Sequence, residues 1–245
     1  GSPHATIRFW DLRYLHNERC YQTNTKNPMP MPDRVAINGQ AAKDHYIAGC
    51  YPQDKLIAVE ALRYMDLEIR SSREDSNEKY LNNNSFKIQL LVLGELNREC
   101  TIRLLKLLSD SIQSLTREVE IIFKPHPACK EDFLQLLPDN SIQSCKPLSE
   151  LMNNANIVLS PMNTSASVEA YLMGLAVIVY LDGTILNMCP LRGFKNINYV
   201  KNPLELTKAI CSASTYKHEN LYGSEGFFFQ DSRLTRWLTL IRSYI

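Results

Sequence analysis

The sequence predicts an α/β protein built on a doubly wound parallel sheet, and three observations support this. After residue 86, short apolar runs alternate regularly with segments of helical pattern. Two of these runs, Ile88 to Leu93 and Ala176 to Leu181, are almost continuously apolar, which is typical of strands covered on both faces. Between them, apolar residues recur every three or four positions from Asn97 to Arg117, as on the buried side of a helix. Together these features indicate a Rossmann-like sheet.

The remaining elements follow from the same patterns. The main lobe is predicted to span residues 86–231. Within it we expect a short helix around Glu131 to Leu137. Further strands are predicted at Val119 to Phe123, Ser141 to Cys145, Ile157 to Leu159 and Ile197 to Val200. A C-terminal helix is predicted at residues 232–245, from Ser232 to Ile245, and its apolar face includes Trp237. We expect Trp237 to pack and not to act in function.

A polar segment at residues 71–85 predicts a linker that divides the chain unequally. The part before it, residues 1–70, is short and predicts two strands around one helix, at Pro32 to Gly39, Gln40 to Ala48 and Lys55 to Glu60. So few elements cannot cover both faces of a sheet. We therefore expect either a partial second α/β lobe on the acceptor side, whose beginning is missing, or an appendage of the main lobe. Gly1-Ser2 resembles a cloning remnant, which would fit a truncated chain.

Composition excludes several classes of function. The net charge is +1 with Lys and Arg spread along the chain, so no nucleic-acid partner is expected. The seven cysteines form no Cys-x-x-Cys pair, which favours reduced thiols over a disulfide framework or a zinc site. No apolar segment reaches membrane-spanning length, and we expect no signal peptide at the start. We expect a cytoplasmic protein, and a peripheral contact with the inner face of the membrane stays open.

The first candidate site is a hydroxyl-rich turn between Ser160 and Gly174. An apolar strand leads into this turn, which opens a helix and contains Thr164, Ser165 and Ser167. The first turn of a helix offers unpaired N–H groups, and the hydroxyls add donors, so a phosphate group would be held there. The alternative is that the hydroxyls only cap the helix.

The second candidate site is Lys124-Pro125-His126-Pro127, at the carboxyl end of a predicted strand. Two prolines fix the loop, and parallel sheets bind ligands at this edge. His126 could donate to a phosphate or act as a general acid, whereas the alternative is a histidine that bonds a neighbouring loop. Because Ser165 follows another strand of the same sheet, both loops are expected to line one crevice.

These residues also carry a resemblance to a known family. Lys-Pro-His-Pro at 124–127, the segment at 148–160 and the segment at 163–180 resemble the nucleotide-binding lobe of GT-B glycosyltransferases. The similar groups are bacterial surface-carbohydrate and capsule enzymes, including polysialyltransferase-like and Kdo-transferase-like proteins with an HP motif and a serine motif. Residues 4–14, 59–64 and 229–237 resemble a surface-carbohydrate biosynthesis family, so the resemblance spans most of the chain.

The resemblance implies roles for individual residues. His126 would contact the donor phosphate and assist departure of the nucleotide, with Lys124 beside it. Ser165, with Thr164 and Ser167, would bind the phosphate, although Asn163-Thr164 stand where these families more often have serine, which leaves open which hydroxyl is primary. Glu169 would accept hydrogen bonds from the ribose hydroxyls. The alternative to this role is that Glu169 is a solvated residue on the surface of the helix.

The loop after the strand at Ala176 to Leu181 supplies two further candidates, Asp182 and Asn187. In the related enzymes this loop lies beside the donor. A plain connecting loop is the alternative.

An acceptor must also be activated by a base, and the N-terminal part offers His4, Asp11 and Glu60. We rank Asp11 and His4 first, against the alternative that Arg8, Asp11 and Arg13 form an exposed ion-pair cluster. The chain has no Asp-x-Asp, so we expect no metal cofactor and a metal-independent reaction.

The function that follows is a glycosyltransferase of surface polysaccharide biosynthesis, as in capsule or lipopolysaccharide. It would transfer a sugar from a nucleotide donor, with a CMP-linked acidic sugar favoured, to a glycan or lipid-linked glycan acceptor. Two alternatives stay open. The chain could be a non-catalytic nucleotide-sugar-binding fragment, inactive without its missing part, or a nucleotide-sugar epimerase of similar architecture.

Overall fold

A computed structural model describes residues 6–22, 29–65, 67, 88–115, 118–213 and 227–245. The contacts within the chain divide it into two units, Gly1–Glu74 with Tyr222–Ile245, and Asp75–Leu221. The predicted linker at residues 71–85 and the candidate base His4 lie outside the described residues.

The described helices and strands are, in chain order, β1 Val35–Ile37, α1 Gln40–Ala48, β2 Leu56–Ala58, β3 Ile88–Leu93, α2 Arg98–Ile112, β4 Val119–Lys124, β5 Ser141–Gln143, α3 Leu148–Met152, β6 Ile157–Pro161, α4 Ala166–Leu172, β7 Ala176–Tyr180, β8 Ile197–Val200, α5 Pro203–Ala213 and α6 Thr235–Arg242. Single 3-10 turns lie between some of them, among them Leu134–Leu136.

The second unit is built on a parallel sheet of six strands in the order β5-β4-β3-β6-β7-β8. Every neighbouring pair in it is parallel. The central strand β3 pairs Leu90 with Ile121 of β4 on one side and with Ile157 of β6 on the other. The predicted doubly wound, Rossmann-like parallel sheet is therefore confirmed.

Both faces of this sheet are covered. Leu90 and Val92 of β3 join Leu104 and Leu108 of α2 in one buried cluster that also includes residues of α5. Side chains alternate between the faces of a strand, so Leu91 of β3 points to the opposite face, and it is buried as well. Burial on both sides explains why the strands read as continuous apolar runs.

The first unit contains a small parallel pair, β1 and β2, with Val35 opposite Leu56. A later segment joins it, because Phe229 N donates to Asn38 O (2.9 Å) and Ala61 N donates to Phe229 O (2.8 Å). Contacts therefore group residues 227–231 with the first unit, whereas we expected the main lobe to extend to residue 231.

Some element boundaries differ from the predictions for local reasons. No α-helix forms at Glu131 to Leu137, where the structure has only the 3-10 turn, whose Leu134 and Leu136 are exposed. The last helix begins at Thr235 and not at Ser232, because Asp231 closes a turn onto Arg233 N (3.0 Å) and Leu234 has φ of 52°.

Candidate functional site at the carboxyl edge of the six-stranded sheet

The order of the strands places a change of direction between β3 and β6. From β3 the chain proceeds to β4 and β5 on one side, and from β6 it proceeds to β7 and β8 on the other. The loops that follow β3 and β6 therefore diverge at the carboxyl edge. This is the topological switch point, where open α/β sheets bind their ligands.

The Lys-Pro-His-Pro loop lies at this edge, after β4. Lys124 ends β4, and both Lys124 and His126 are half-buried. His126 Nδ1 accepts a hydrogen bond from Ala128 N at 3.2 Å. Because Nδ1 is the acceptor, the neutral imidazole carries its proton on Nε2, which can donate to an anion.

Gly94, directly after β3, lies against this loop. Its N–H donates to Lys124 O at 2.8 Å. A Cβ at Gly94 would lie 3.2 Å from Pro125 Cα and 3.3 Å from His126 N, tighter than ordinary contacts. The absence of a side chain at Gly94 thus allows the loops after β3 and β4 to meet.

The hydroxyl-rich turn follows β6 and leads into α4. Thr164 Oγ1 accepts from Ala166 N (3.2 Å), and the hydroxyl of Ser167 donates to Thr164 O (2.8 Å). Ser167 is fully buried, so its hydroxyl supports the turn and is not available as a phosphate donor. Ser165 is half-buried and its side chain makes no capping bond. Of the three hydroxyls, that of Ser165 is the one not committed to capping the helix or bracing the turn.

A contact across the crevice joins the loops after β3 and β6. Asn163 Nδ2 donates to Glu95 Oε1 at 3.2 Å. The other acceptor atoms, Glu95 Oε2 and Asn163 Oδ1, are buried and have no hydrogen-bond partner among the described residues. Neither Gly94 nor Glu95 was singled out from the sequence, although Leu93-Gly94-Glu95 follows an apolar strand as the other site loops do.

Glu169 lies in α4, four residues after Ser165, and it is half-buried between the fully buried residues Val168 and Ala170. Asn187 is also half-buried, and its Oδ1 accepts from Cys189 N at 3.1 Å. That bond shapes the loop after β7 and leaves the amide nitrogen of Asn187 as the group that could reach a ligand.

Both carboxylate oxygens of Asp182, a candidate donor contact, are engaged within the fold. Its Oδ2 accepts from Arg103 Nε (2.7 Å), and its Oδ1 accepts from the backbone N (3.0 Å) and hydroxyl (2.8 Å) of Thr184. Burial opposes ionisation of Asp182, but the hydrogen bonds from Thr184 and Arg103 outweigh it and lower the pKa of this carboxyl. Asp182 therefore anchors the loop after β7 to α2.

Asp11 and Glu60, two of the three candidate bases of the first unit, are engaged in structural contacts. Asp11 is buried and accepts two bonds from the Arg13 guanidinium, at 2.8 and 2.6 Å. The hydrogen bond from Arg13 holds the pKa of Asp11 below its usual range. A carboxylate held in this way is a poor base at neutral pH. An ion pair between Arg13 and Asp11, part of the cluster named as the alternative, thus forms, but around a buried and not an exposed carboxylate.

Glu60 is also buried, and its two carboxylate oxygens accept from Arg236 N (2.9 Å) and Trp237 N (3.0 Å). It therefore caps α6 and is committed to the fold. Trp237 packs against the same segment, because its Nε1 donates to Glu60 O at 2.8 Å.

Two kinds of feature are missing from the described part of the chain. No group of three or more His, Cys, Asp and Glu side chains there could hold a metal ion. No helix within it has both the length and the apolar character required to cross a membrane.

Comparison with known proteins relates the chain to others by fold. No family model and no curated protein matches it. Its structure is similar to a putative UDP-N-acetylglucosamine 2-epimerase from Listeria monocytogenes, with a TM-score of 0.60 and 16% identity over 98% of this chain and 67% of that one. It is similar to the glycosyltransferase of kitacinnamycin, with a TM-score of 0.54 and 9% identity over 86% of this chain and 55% of that one.

A third similar structure is Anabaena HepE in complex with UDP and glucose, with a TM-score of 0.54 and 12% identity over 88% of this chain and 64% of that one. The chain thus spans 55% to 67% of the length of these three proteins. At such low identity the similarity shows the fold alone. For the six-stranded unit, that fold is the Rossmann-like lobe of the GT-B architecture.

Proposed function

We propose that the second unit binds a nucleotide sugar at the carboxyl edge of its sheet and that the protein is a glycosyltransferase of surface polysaccharide biosynthesis. One observation carries this proposal. The loops after β3, β4 and β6 meet at the topological switch point, where Gly94 contacts the His126 loop and Glu95 contacts Asn163. The GT-B fold is the context in which such a crevice holds a nucleotide donor.

The chemistry requires stabilisation of charge. Breaking the bond between a sugar and a nucleotide leaves negative charge on a phosphate, and fixed donors aimed at that phosphate lower the barrier. Lys124 supplies a cation, and His126 supplies an N–H from Nε2. Ser165 supplies a hydroxyl, so we propose that these groups act on the phosphate without a metal ion. Glu169 is proposed to accept from the ribose, and Asn187 to lie beside the base or sugar.

The identities of the donor and the acceptor are also part of the proposal. The resemblance to polysialyltransferase-like and Kdo-transferase-like proteins favours a CMP-linked acidic sugar, whereas HepE was solved with UDP and glucose. The acceptor is proposed to be a glycan or lipid-linked glycan at the inner face of the membrane. A nucleotide-sugar epimerase is the second candidate, because similarity to the Listeria protein extends over 98% of this chain.

The test is a thermal-shift panel with UDP, CMP and CDP. A nucleotide present at a hundred times its Kd should stabilise the protein by about 2.7 kcal/mol. We expect His126→Ala and Ser165→Ala to reduce this stabilisation, whereas His16→Ala in the first unit serves as a matched control. The donor-site proposal fails if no nucleotide stabilises the wild type, or if neither site variant changes the effect.

Turnover then separates the candidates. A transferase releases nucleotide from its nucleotide sugar when an acceptor is present, whereas a 2-epimerase changes the configuration of the sugar without an acceptor. A binding fragment does neither and still shows the thermal shift.

A further inference from the structure

The Glu95–Asn163 pair joins two loops that leave the sheet in opposite directions. Sixty-eight positions separate the two residues in the chain, and the contact between Asn163 Nδ2 and Glu95 Oε1 spans the switch point between β3 and β6. Any ligand that enters this crevice from the carboxyl edge meets the pair where the loops diverge.

The backbone around Glu95 is held in place. Glu95 N donates to Thr101 Oγ1 at 2.9 Å, and the same hydroxyl lies 3.2 Å from Glu95 O. Thr101 is buried in the first turns of α2, and Gly94 N is bonded to Lys124 O. The pair therefore has a fixed position relative to the His126 loop, which is the condition for a preorganised binding group.

The pair presents two acceptors and lacks donors for them. Glu95 Oε2 and Asn163 Oδ1 are both buried without a partner among the described residues. The other atoms of this kind there are the single hydroxyls of Tyr51, Ser141 and Tyr199. Buried polar groups of native proteins are nearly always hydrogen-bonded, so two such acceptors on contacting side chains call for a ligand that brings two donors.

The chemistry of the acceptors selects the ligand group. Phosphate oxygens are acceptors and carry negative charge, so the Glu95 carboxylate repels them. Two neighbouring hydroxyls of a sugar instead offer two donors and carry no charge. We propose that Glu95 and Asn163 bind two hydroxyl groups of the transferred sugar and thereby determine which sugar the donor site accepts. This inference rests on the nucleotide-sugar function proposed above.

The test compares free nucleotides with nucleotide sugars by titration calorimetry. The probes are UDP against UDP-glucose and UDP-N-acetylglucosamine, and CMP against CMP-N-acetylneuraminic acid. Glu95→Gln exchanges one acceptor for a donor at almost constant size. We expect it to raise the Kd of the bound nucleotide sugar about tenfold, because a hydrogen bond to a charged group is lost, and to change the Kd of the free nucleotide less than twofold.

Glu99→Gln is the matched control, since Glu99 lies in the first turn of α2 with its side chain 64% exposed. It should leave every Kd unchanged. Equal affinities of the wild type and Glu95→Gln for the nucleotide sugar would overturn the inference and leave the donor site standing. An equal loss of affinity for the free nucleotide would also overturn it, because the pair would then contact the ribose. If the wild type bound none of the probes, both proposals would fail.

Discussion

Glu60 and Trp237 are joined by two hydrogen bonds that involve the backbone and the side chain of both residues, although 177 positions separate them in the sequence. Glu60 Oε2 accepts from Trp237 N at 3.0 Å, and Glu60 O accepts from the indole Nε1 at 2.8 Å. The carboxylate thus replaces the missing partners at the first turn of α6, where negative charge is also favoured by the helix dipole. Glu60, which the sequence offered as a catalytic base, therefore caps a helix.

Glu60→Ala should destabilise the protein by about 2–3 kcal/mol, because it removes an ionised cap and leaves two N–H groups of α6 without acceptors. Urea unfolding measures the change. Glu150→Ala is the control, since Glu150 is exposed and its side chain forms an i,i+4 pair with Lys146, and it should cost less than about 0.5 kcal/mol. A loss from Glu60→Ala no larger than that of the control would contradict the capping role.

Asp182→Asn should destabilise the second unit by about 1–3 kcal/mol near neutral pH, because Arg103 loses the negatively charged acceptor of its hydrogen bond. The pKa of Asp182 is lowered in the folded protein, so its contribution is present above the ordinary Asp range and is lost as the pH falls through the folded value. The difference in unfolding free energy between wild type and variant should therefore stay constant above about pH 5 and shrink below about pH 4. Asp139→Asn, at an exposed position, should show no such trend. A difference independent of pH would argue against the ion pair.

Gly94→Ala should weaken nucleotide binding by about tenfold with a smaller effect on stability. The added methyl group would lie 3.1 Å from Phe123 Cζ and 3.2 Å from Pro125 Cα, so the His126 loop must shift. Gly183→Ala is the matched control, because a Cβ at Gly183 meets nothing within 4 Å. Calorimetry with UDP and CMP compares the two. Unchanged binding by Gly94→Ala would mean that the position of the His126 loop does not matter for the nucleotide.

The sequence-based predictions succeeded where local patterns carry the information. Helix α1 was predicted with its observed bounds, Gln40–Ala48, and strand β8 with its bounds, Ile197–Val200. The rule that loops follow parallel strands at one edge also predicts that the His126 and Ser165 loops line one crevice, and this stays a prediction. The helix expected at Glu131 to Leu137 was wrong, because Phe133 is its single fully buried apolar anchor and one anchor does not define a helical face.

The side-chain pairs of the site could not be predicted in the same way. Glu95 and Asn163, and Arg103 and Asp182, are joined by contacts between loops and helices 68 and 79 positions apart. Periodicity and composition report on neighbours in sequence and contain no information about which distant side chain will satisfy a carboxylate. Asp182 was therefore predicted to contact the donor, and Glu95 was not predicted to be a site residue.

The central claim is that the carboxyl edge binds the phosphate of a nucleotide through His126. Proton–nitrogen NMR of the imidazole rings tests it most directly, because the chain has only five histidines and His126→Gln identifies the signal of His126. On saturation with UDP or CMP we expect the His126 signal to shift, since the phosphate would accept a hydrogen bond from Nε2 and bring negative charge next to the ring. A saturated nucleotide complex in which the His126 signal stays unchanged would contradict the claim.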